Sequence, residues 1–405
     1  MLSKLNTVTK EIPTRQNIKD MHLKEIYLKV LRSGGLSRAQ LKNEMKLSFP
    51  SISALVDELI EAGLLVESEA VKATNLGRPR ILLRINPGAF AVPVVKMFST
   101  GYVYTLFDSA AGIIESGRLS FGKKKPYIPP EQRWDPGADS LCKPLEDWLA
   151  GVRQKYRIAD LVLCVSGHFH EDGTFHSSDL RITTTEDVYT RLRKVVGGDI
   201  KIMSVAVCFT YAEKIFRRLT EDFMYVYISG GVGACTIRDG KVYGDKLFLG
   251  AGEIGHSSID YNGRQCSCGG RGCLERYVSV LAVCEDAAAA LGSEKRSVPF
   301  DYVCEEYNNG NPIIEELINE KAMQLAVGIT NAITLQPVDY IVIGGGIEKL
   351  GAKFLSEIRH NLLSRGRKRY MAEVNVSFSE HIKNDEAVGA LWNYLDNKMK
   401  IETII

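Results

Sequence analysis

No segment of the 405-residue chain is apolar for long enough to cross a bilayer, so a helical membrane protein is not expected. The amino terminus, MLSKLNTVTKEIPTRQ, lacks the apolar core that a secretion signal requires. A one-sided charge is missing as well. The 51 Lys and Arg nearly balance the 49 Asp and Glu, leaving a formal charge of +2, so the chain as a whole is not a polycation made for nucleic acid or anionic membrane. There is no repeat of solenoid period and no low-complexity tract. These absences leave a cytoplasmic protein as the expectation. Thiols stay reduced there, so the nine cysteines read as free thiols or metal ligands and not as a disulfide framework.

What is present divides into a head and a body. With 45% hydrophobic residues over this length, two or three domains with real cores are expected. Residues 1–86 carry 14 Lys and Arg against 9 Asp and Glu, which leaves 37 against 40 for the remainder of the 51 and 49. A basic head therefore precedes a slightly acidic body.

In the head, Leu23, Ile26, Tyr27, Val30 and Leu31 repeat at helical spacing up to Gly34 and Gly35. Ser37 caps a second helix, with Gln40 as its capping-box partner. Ser48 caps a third, in which Pro50 is tolerated in the first turn and Ile52, Leu55, Val56, Leu59 and Ile60 form the apolar face up to Gly63. Candidate strands Leu64–Glu67 and Ile81–Ile85 follow, with a polar loop between them. This order is that of a winged helix-turn-helix. The third helix would enter the major groove, with Ser48, Phe49, Ser51 and Ser53 at its start and Arg38 on the helix before it. Arg78 and Arg80 in the loop NLGRPR would reach phosphate or the minor groove. The alternative is a docking module without a DNA role. Asp57, Glu58 and Glu61 would repel phosphate, but they sit away from the helix start.

After Pro87 the texture changes to alternating strands and helices. Strand candidates are Tyr102–Phe107, Leu161–Val165, Phe223–Ile228 and Tyr340–Ile343, and Glu316–Ala332 reads as a long helix. Asp239-Gly240 signals a hairpin between Thr236–Arg238 and Lys241–Tyr243. The segment 122–137 reads as a surface loop. The fold class is α/β, with two lobes. Glycine clusters at Ser229–Gly233 and Ile343–Ile347 stand at strand ends, where exposed backbone amides can cradle a nucleotide.

The densest chemical signal is GEIGHSSID followed by CSCGGRGCLERY. His256, Cys266, Cys268 and Cys273 supply one nitrogen and three sulfurs, the donor set of a closed tetrahedral structural Zn2+ site. Four protein ligands leave no open position for catalysis. The bland alternative is a set of reduced thiols in a glycine-rich turn.

At these residues the chain resembles the ROK family of repressors, uncharacterised reading frames and sugar kinases. The resemblance runs from about Met21 to Trp392 and rests chiefly on the His-Cys-x-Cys-x4-Cys spacing. It implies an actin-like ATPase body behind the winged helix-turn-helix. Residues 1–86 would bind DNA, 87–210 would form the first lobe, completed by a C-terminal helix at about 385–400, and 211–384 would form the second lobe with the zinc motif. It also implies that His256 faces a sugar whose hydroxyls donate to Glu253 and Glu275.

The same resemblance argues against catalysis. KMFST, Lys96–Thr100, stands where ROK kinases carry a DxGGT-like phosphate motif, and Lys96 replaces the acidic residue. Ser204-Val205 stands where an Asn-Asp pair supplies the base, and a valine cannot accept a proton from a sugar hydroxyl. No catalytic residue is expected. The resulting expectation is a carbohydrate-responsive repressor that binds double-stranded operator DNA as a homodimer or homotetramer and has no membrane partner. An active sugar kinase with an appended head, or a DNA-binding protein blind to ligand, are the alternatives.

Overall fold

The computed structural model describes residues 14–68, 81–122, 133–177, 179–196, 199–243, 252–364, 372–380 and 385–405. The head begins with α1 (Arg15–Ser33), where Thr14 and Asn17 satisfy each other's backbone in a capping box, and Gly34 ends the helix at φ 70°. Ser37 and Gln40 make the same box for α2 (Arg38–Met45). Ser48 accepts from the Ser51 amide to start α3 (Phe49–Glu61), whose Ile52, Leu55, Val56 and Leu59 are buried. The strands β1 (Leu65–Glu67) and β2 (Leu83–Ile85) pair antiparallel, Leu65 opposite Ile85. Arg78 and Arg80 lie outside the described residues, as does most of the 122–137 loop.

The body holds two five-stranded sheets. In the first, β3 (Ala91–Phe98), β4 (Gly101–Asp108) and β5 (Ile113–Ser120) form an antiparallel meander. Beside β3 run β6 (Leu161–Val165) and β10 (Ile200–Ser204), each parallel to its neighbour. A small sheet of β7 (His168–Phe169), β8 (Phe175–Ser177) and β9 (Ile182–Thr183) projects from the end of β6. Helices α4 (Ala138–Arg153) and α5 (Val188–Val196) cover this lobe, and α6 (Val205–Phe216) leads out of it.

The second sheet repeats the plan. A meander of β11 (Phe223–Ile228), β12 (Val232–Arg238) and β13 (Lys241–Tyr243) is extended on the β11 side by the parallel strands β14 (Tyr340–Gly344) and β15 (Asn375–Phe378). Asp239 and Gly240 turn the β12–β13 hairpin with positive φ, as their residue types favour. Helices α7 (Glu275–Val278), α8 (Val280–Ala290), α9 (Phe300–Asn308), α10 (Pro312–Leu335) and α11 (Gly351–Ser364) complete the lobe. The strand orders β5-β4-β3-β6-β10 and β13-β12-β11-β14-β15 are the same topology. This duplication is invisible as a sequence repeat, because a lobe needs a matching burial pattern and not matching residues.

Between the sheets, α6 packs on strands of both and on α12 (Asp385–Asn393). The two helices approach so closely that a Cβ on Gly389 would stand 1.8 Å from the Cys208 carbonyl oxygen. Gly389→Val is therefore expected to destabilise the protein by at least the roughly 1–3 kcal/mol typical of overpacking, read as a lower midpoint in a denaturant titration. An unchanged midpoint would show that the helices can separate freely. The head is not an isolated bead. One apolar cluster runs from Leu23, Tyr27 and Val56 through Phe90 and Val92 to Leu391, Tyr394 and Ile401. Lys24 Nζ donates to the Met399 carbonyl at 2.9 Å, Arg32 pairs with Asp396 and stacks on Trp392, and Tyr27 donates to the Ser109 carbonyl.

Candidate metal centre and ligand cleft

The turn that carries the candidate metal ligands is assembled on the second lobe. A 3-10 turn, Ile254–His256, lies on β12 so closely that a Cβ on Gly255 would meet the Val232 carbonyl at 2.2 Å. Ser258 then bridges to Cys273 and Gln265 to Arg271, folding the cysteine segment back. Gly272 is required here, since its φ is +68° and a Cβ would meet the Asp260 carbonyl at 1.6 Å. The turn is anchored from below: Asp286 on α8 accepts from Arg264 at 2.9 and 3.0 Å and pairs with the buried Lys321 of α10.

This folding brings the ligand atoms of His256, Cys266, Cys268 and Cys273 within 4.8 Å of one another, a group that could hold a metal ion. Cys266 Sγ is 3.6 Å from His256 Nδ1, and Cys268 Sγ is 3.6 Å from Cys273 Sγ. Tetrahedral zinc with bonds of about 2.3 Å to sulfur and 2.05 Å to nitrogen would set the sulfur–sulfur and sulfur–nitrogen separations at about 3.8 and 3.6 Å. The residues thus fit the ion that their types imply. Among themselves they redistribute protons. The hydrogen bond with Cys266 raises His256 to about 9, against its burial. Burial pushes the Cys266 thiol up, but hydrogen bonds from His256, Cys268 and Cys273 outweigh it and bring Cys266 down to about 6. Burial and its two thiol neighbours push Cys273 up.

The other ring nitrogen of His256 faces a carboxylate. Nε2 stands 3.9 Å from Glu253 Oε2, so the imidazole joins the sulfur cluster to a carboxylate. Glu275, the first residue of α7, accepts from the Val232 amide at 3.0 Å. Desolvation by the surrounding protein raises both glutamates above the ordinary carboxylate range, and His256 opposes the rise. Glu253, His256 and Glu275 therefore form one group at the end of β12. A further residue, Asp179, is not singled out by its sequence surroundings. It reaches from the first lobe to the Ser229–Gly231 turn, where a Cβ on Gly230 would come within 2.1 Å of its Oδ1, and its charge acts on Glu275. The signal for it is the absence of side chains in SGGVG, which needs the facing lobe to be interpreted.

Lys96 and Val205 occupy the interlobe region. Lys96 Nζ is 3.5 Å from Glu386 Oε1 and lies over the rings of Phe98 and Phe209 at 5.0 and 5.4 Å. Phe209 stacks in turn on Tyr225 and Tyr227 of the second sheet, with interplanar angles of 6° and 19°. Val205 is buried as the first residue of α6, and Ser204 serves as its cap, accepting from Val207 at 3.2 Å.

On the head, Ser48, Phe49 and Ser51 are exposed at the start of α3, Phe49 at 48%. Ser53 is half-buried, and its carbonyl accepts from Arg38. The Arg38 guanidinium pairs with Asp57 at 2.8 Å and Glu67 at 3.0 Å, tying α2 to α3 and β1. Its fork is thus committed within the head. Among the described residues, no helix is long and apolar enough to cross a membrane.

Known proteins resemble this chain in sequence and fold. The chain is 24% identical over 391 residues to the DNA-binding transcriptional dual regulator NagC of Escherichia coli K12, covering 92% of each chain. It is 23% identical to the xylose repressor of Bacillus subtilis, covering 88% of this chain and 90% of the repressor. A solved ROK family transcriptional regulator, a homologue of the E. coli MLC protein, matches 96% of this chain and 99% of its own with a TM-score of 0.78 at 20% identity. The ROK hexokinase of Thermus thermophilus matches 74% of this chain and 96% of its own with a TM-score of 0.57 at 19% identity. The shared fold is the two-lobed actin-like ATPase architecture. Residues 131–396 match the model of the ROK family, to which this chain therefore belongs.

Proposed function

We propose that this protein is a DNA-binding transcriptional regulator, most simply a repressor, whose ROK body responds to a carbohydrate. The observation that carries the reading is the extent of the likeness. The ROK transcriptional regulator parallels 96% of the chain, whereas the ROK hexokinase parallels 74%. In this reading 1–86 is the DNA-binding unit, and 87–210 with the C-terminal helix and 211–384 are the lobes. Zn2+ held by His256, Cys266, Cys268 and Cys273 is structural, Glu253 and Glu275 accept from the effector's hydroxyls, and His256 faces the effector between them. Ser48, Phe49, Ser51 and Ser53 meet bases, Arg78 and Arg80 meet phosphate, and Arg38 ties α3 to β1 through Asp57 and Glu67. The protein acts in the cytoplasm as a homodimer whose two heads read a two-fold operator.

Coupling follows from differential binding: an effector that prefers one lobe arrangement shifts the population toward it. Helix α6 packs on both sheets and on α12, and the segment after α12 holds α1 through Asp396 and Met399. A change in lobe closure is thereby passed to the head. The test is fluorescence anisotropy on DNA fragments from upstream of the protein's own gene, with and without monosaccharides, amino sugars and their phosphates. Tighter binding to one fragment than to random DNA, altered by one carbohydrate, is the expected result. Equal binding to all fragments under every condition would sink the proposal.

Catalysis is not part of this reading. By the family resemblance Lys96, which lies beside Glu386, would stand where kinases carry an acidic residue, and Val205 would offer no base. A coupled ATPase assay is expected to find no sugar-dependent turnover, where working kinases run at roughly 1–100 per second. Turnover in that range on any hexose would reinstate a kinase.

A further inference from the structure

The chain has seven histidines, and three of them share one face of the small sheet on the first lobe, apart from the sulfur-rich centre. β7 and β8 pair antiparallel with His168 opposite His176 and Phe169 opposite Phe175. Neighbours along a strand point to opposite faces, so Phe169 and Phe175 go into the core at 2% and 0% exposure while the imidazoles gather outside. His170, two residues beyond His168, rejoins that face. It is tied to the hairpin by its amide, which donates to the Thr174 carbonyl at 2.8 Å, and by its carbonyl, which accepts from Gly173 at 3.0 Å. The ring centroids of His168 and His170 are 4.7 Å apart, those of His168 and His176 5.5 Å, and those of His170 and His176 6.4 Å.

We propose that His168, His170 and His176 form a second site for a divalent transition-metal ion, with Zn2+ as its probe. Three imidazole nitrogens about 2.0–2.1 Å from a tetrahedral ion stand about 3.4 Å apart, which places the ring centroids about 5 Å apart. Two of the three observed spacings lie near that value. The third closes when the exposed His170 ring turns. These donors are less tightly gathered than those of the His256 group, so binding here completes the site instead of filling a finished one. His176 Nδ1 is 2.9 Å from Thr183 Oγ1, the kind of outer contact that fixes the orientation of a ligating imidazole. An all-imidazole set suits zinc, copper and nickel over magnesium or calcium. Three protein ligands leave a coordination position for water or a ligand oxygen. His256 acts electrostatically on His168 and His176, so the site stands on the side of the first lobe that faces His256.

The experiment is a Zn2+ titration of tag-free, full-length protein against a chromophoric competitor. Wild type is expected to bind two equivalents per chain, and the His168→Ala, His170→Ala double variant one. His170→Ala alone, at an exposed turn, is expected to weaken the second equivalent roughly 10-fold or more, and it keeps the test open should the double variant fail to fold. Co2+ then identifies the donors. The second equivalent should add weak d–d absorption without the sulfur-to-metal charge-transfer band that the cysteine site gives. A wild type that stops at one equivalent, a second equivalent that survives both substitutions, or one that carries the charge-transfer band, overturns the proposal.

Discussion

Cys268→Ser protein is expected to leave purification with well under one zinc at the His256 site per chain and to melt far below wild type. In a closed four-ligand site each bond contributes, and structural zinc binding is itself folding free energy, roughly 10–16 kcal/mol in zinc-finger peptides. Here part of the scaffold is already held by Asp286, Arg264 and Lys321, so a fraction of that amount is at stake. Each kcal/mol lost lowers the melting temperature of a domain of about 150–250 residues by roughly 2–4 °C. Cys268 is the decisive position because it is exposed, so serine leaves no cavity and the effect reports the metal. Cys284→Ser, a buried thiol outside the cluster, is the control and should retain zinc. The loss should also appear where the turn carries function, in any carbohydrate response through His256. Elemental analysis finding no zinc in wild type prepared without chelators would remove the metal from the account.

The second large effect is on DNA. Phe49→Ala with Ser51→Ala should erode discrimination between operator and random DNA by roughly 1–3 kcal/mol for each base that is no longer read. Both side chains are exposed at the start of α3, so the melting temperature of the head should hardly move. Arg78→Ala with Arg80→Ala should instead weaken binding to all sequences and flatten the salt dependence by roughly 0.9 for each phosphate that is no longer neutralised. Arg38→Ala belongs to a third class. Its guanidinium is committed to Asp57 and Glu67, so its removal should loosen α3 and lower specific and non-specific binding together. Titrations at two salt concentrations separate the three patterns. If the α3 substitutions leave operator preference intact, the head docks on protein and the regulator reading falls with it.

Local chemistry made much of this molecule legible before any coordinates. The caps Ser37 and Ser48, the Gly34 stop and the Asp239-Gly240 hairpin are set within a few residues of chain, so their types announce them. The four candidate metal ligands span 18 positions, and soft donors at that density point to a metal from sequence alone. The ends of strands were less legible. The second strand of the wing begins at Leu83 and not at Ile81, because pairing ends where the partner strand ends.

What the sequence by itself determined is therefore the head's helices, the α/β texture and the His/Cys set that could hold a metal, each of which depends on neighbours along the chain. The tertiary structure alone decided that the two lobes share one strand order, that Arg38 is held by Asp57 and Glu67, and that Asp179 faces the Gly230 turn. It also decided that His168 and His176 stand opposite each other and that the last helix shares one apolar cluster with the head. These are contacts between residues far apart in the chain. They depend on register and packing, which the order of residues specifies only through the whole fold at once.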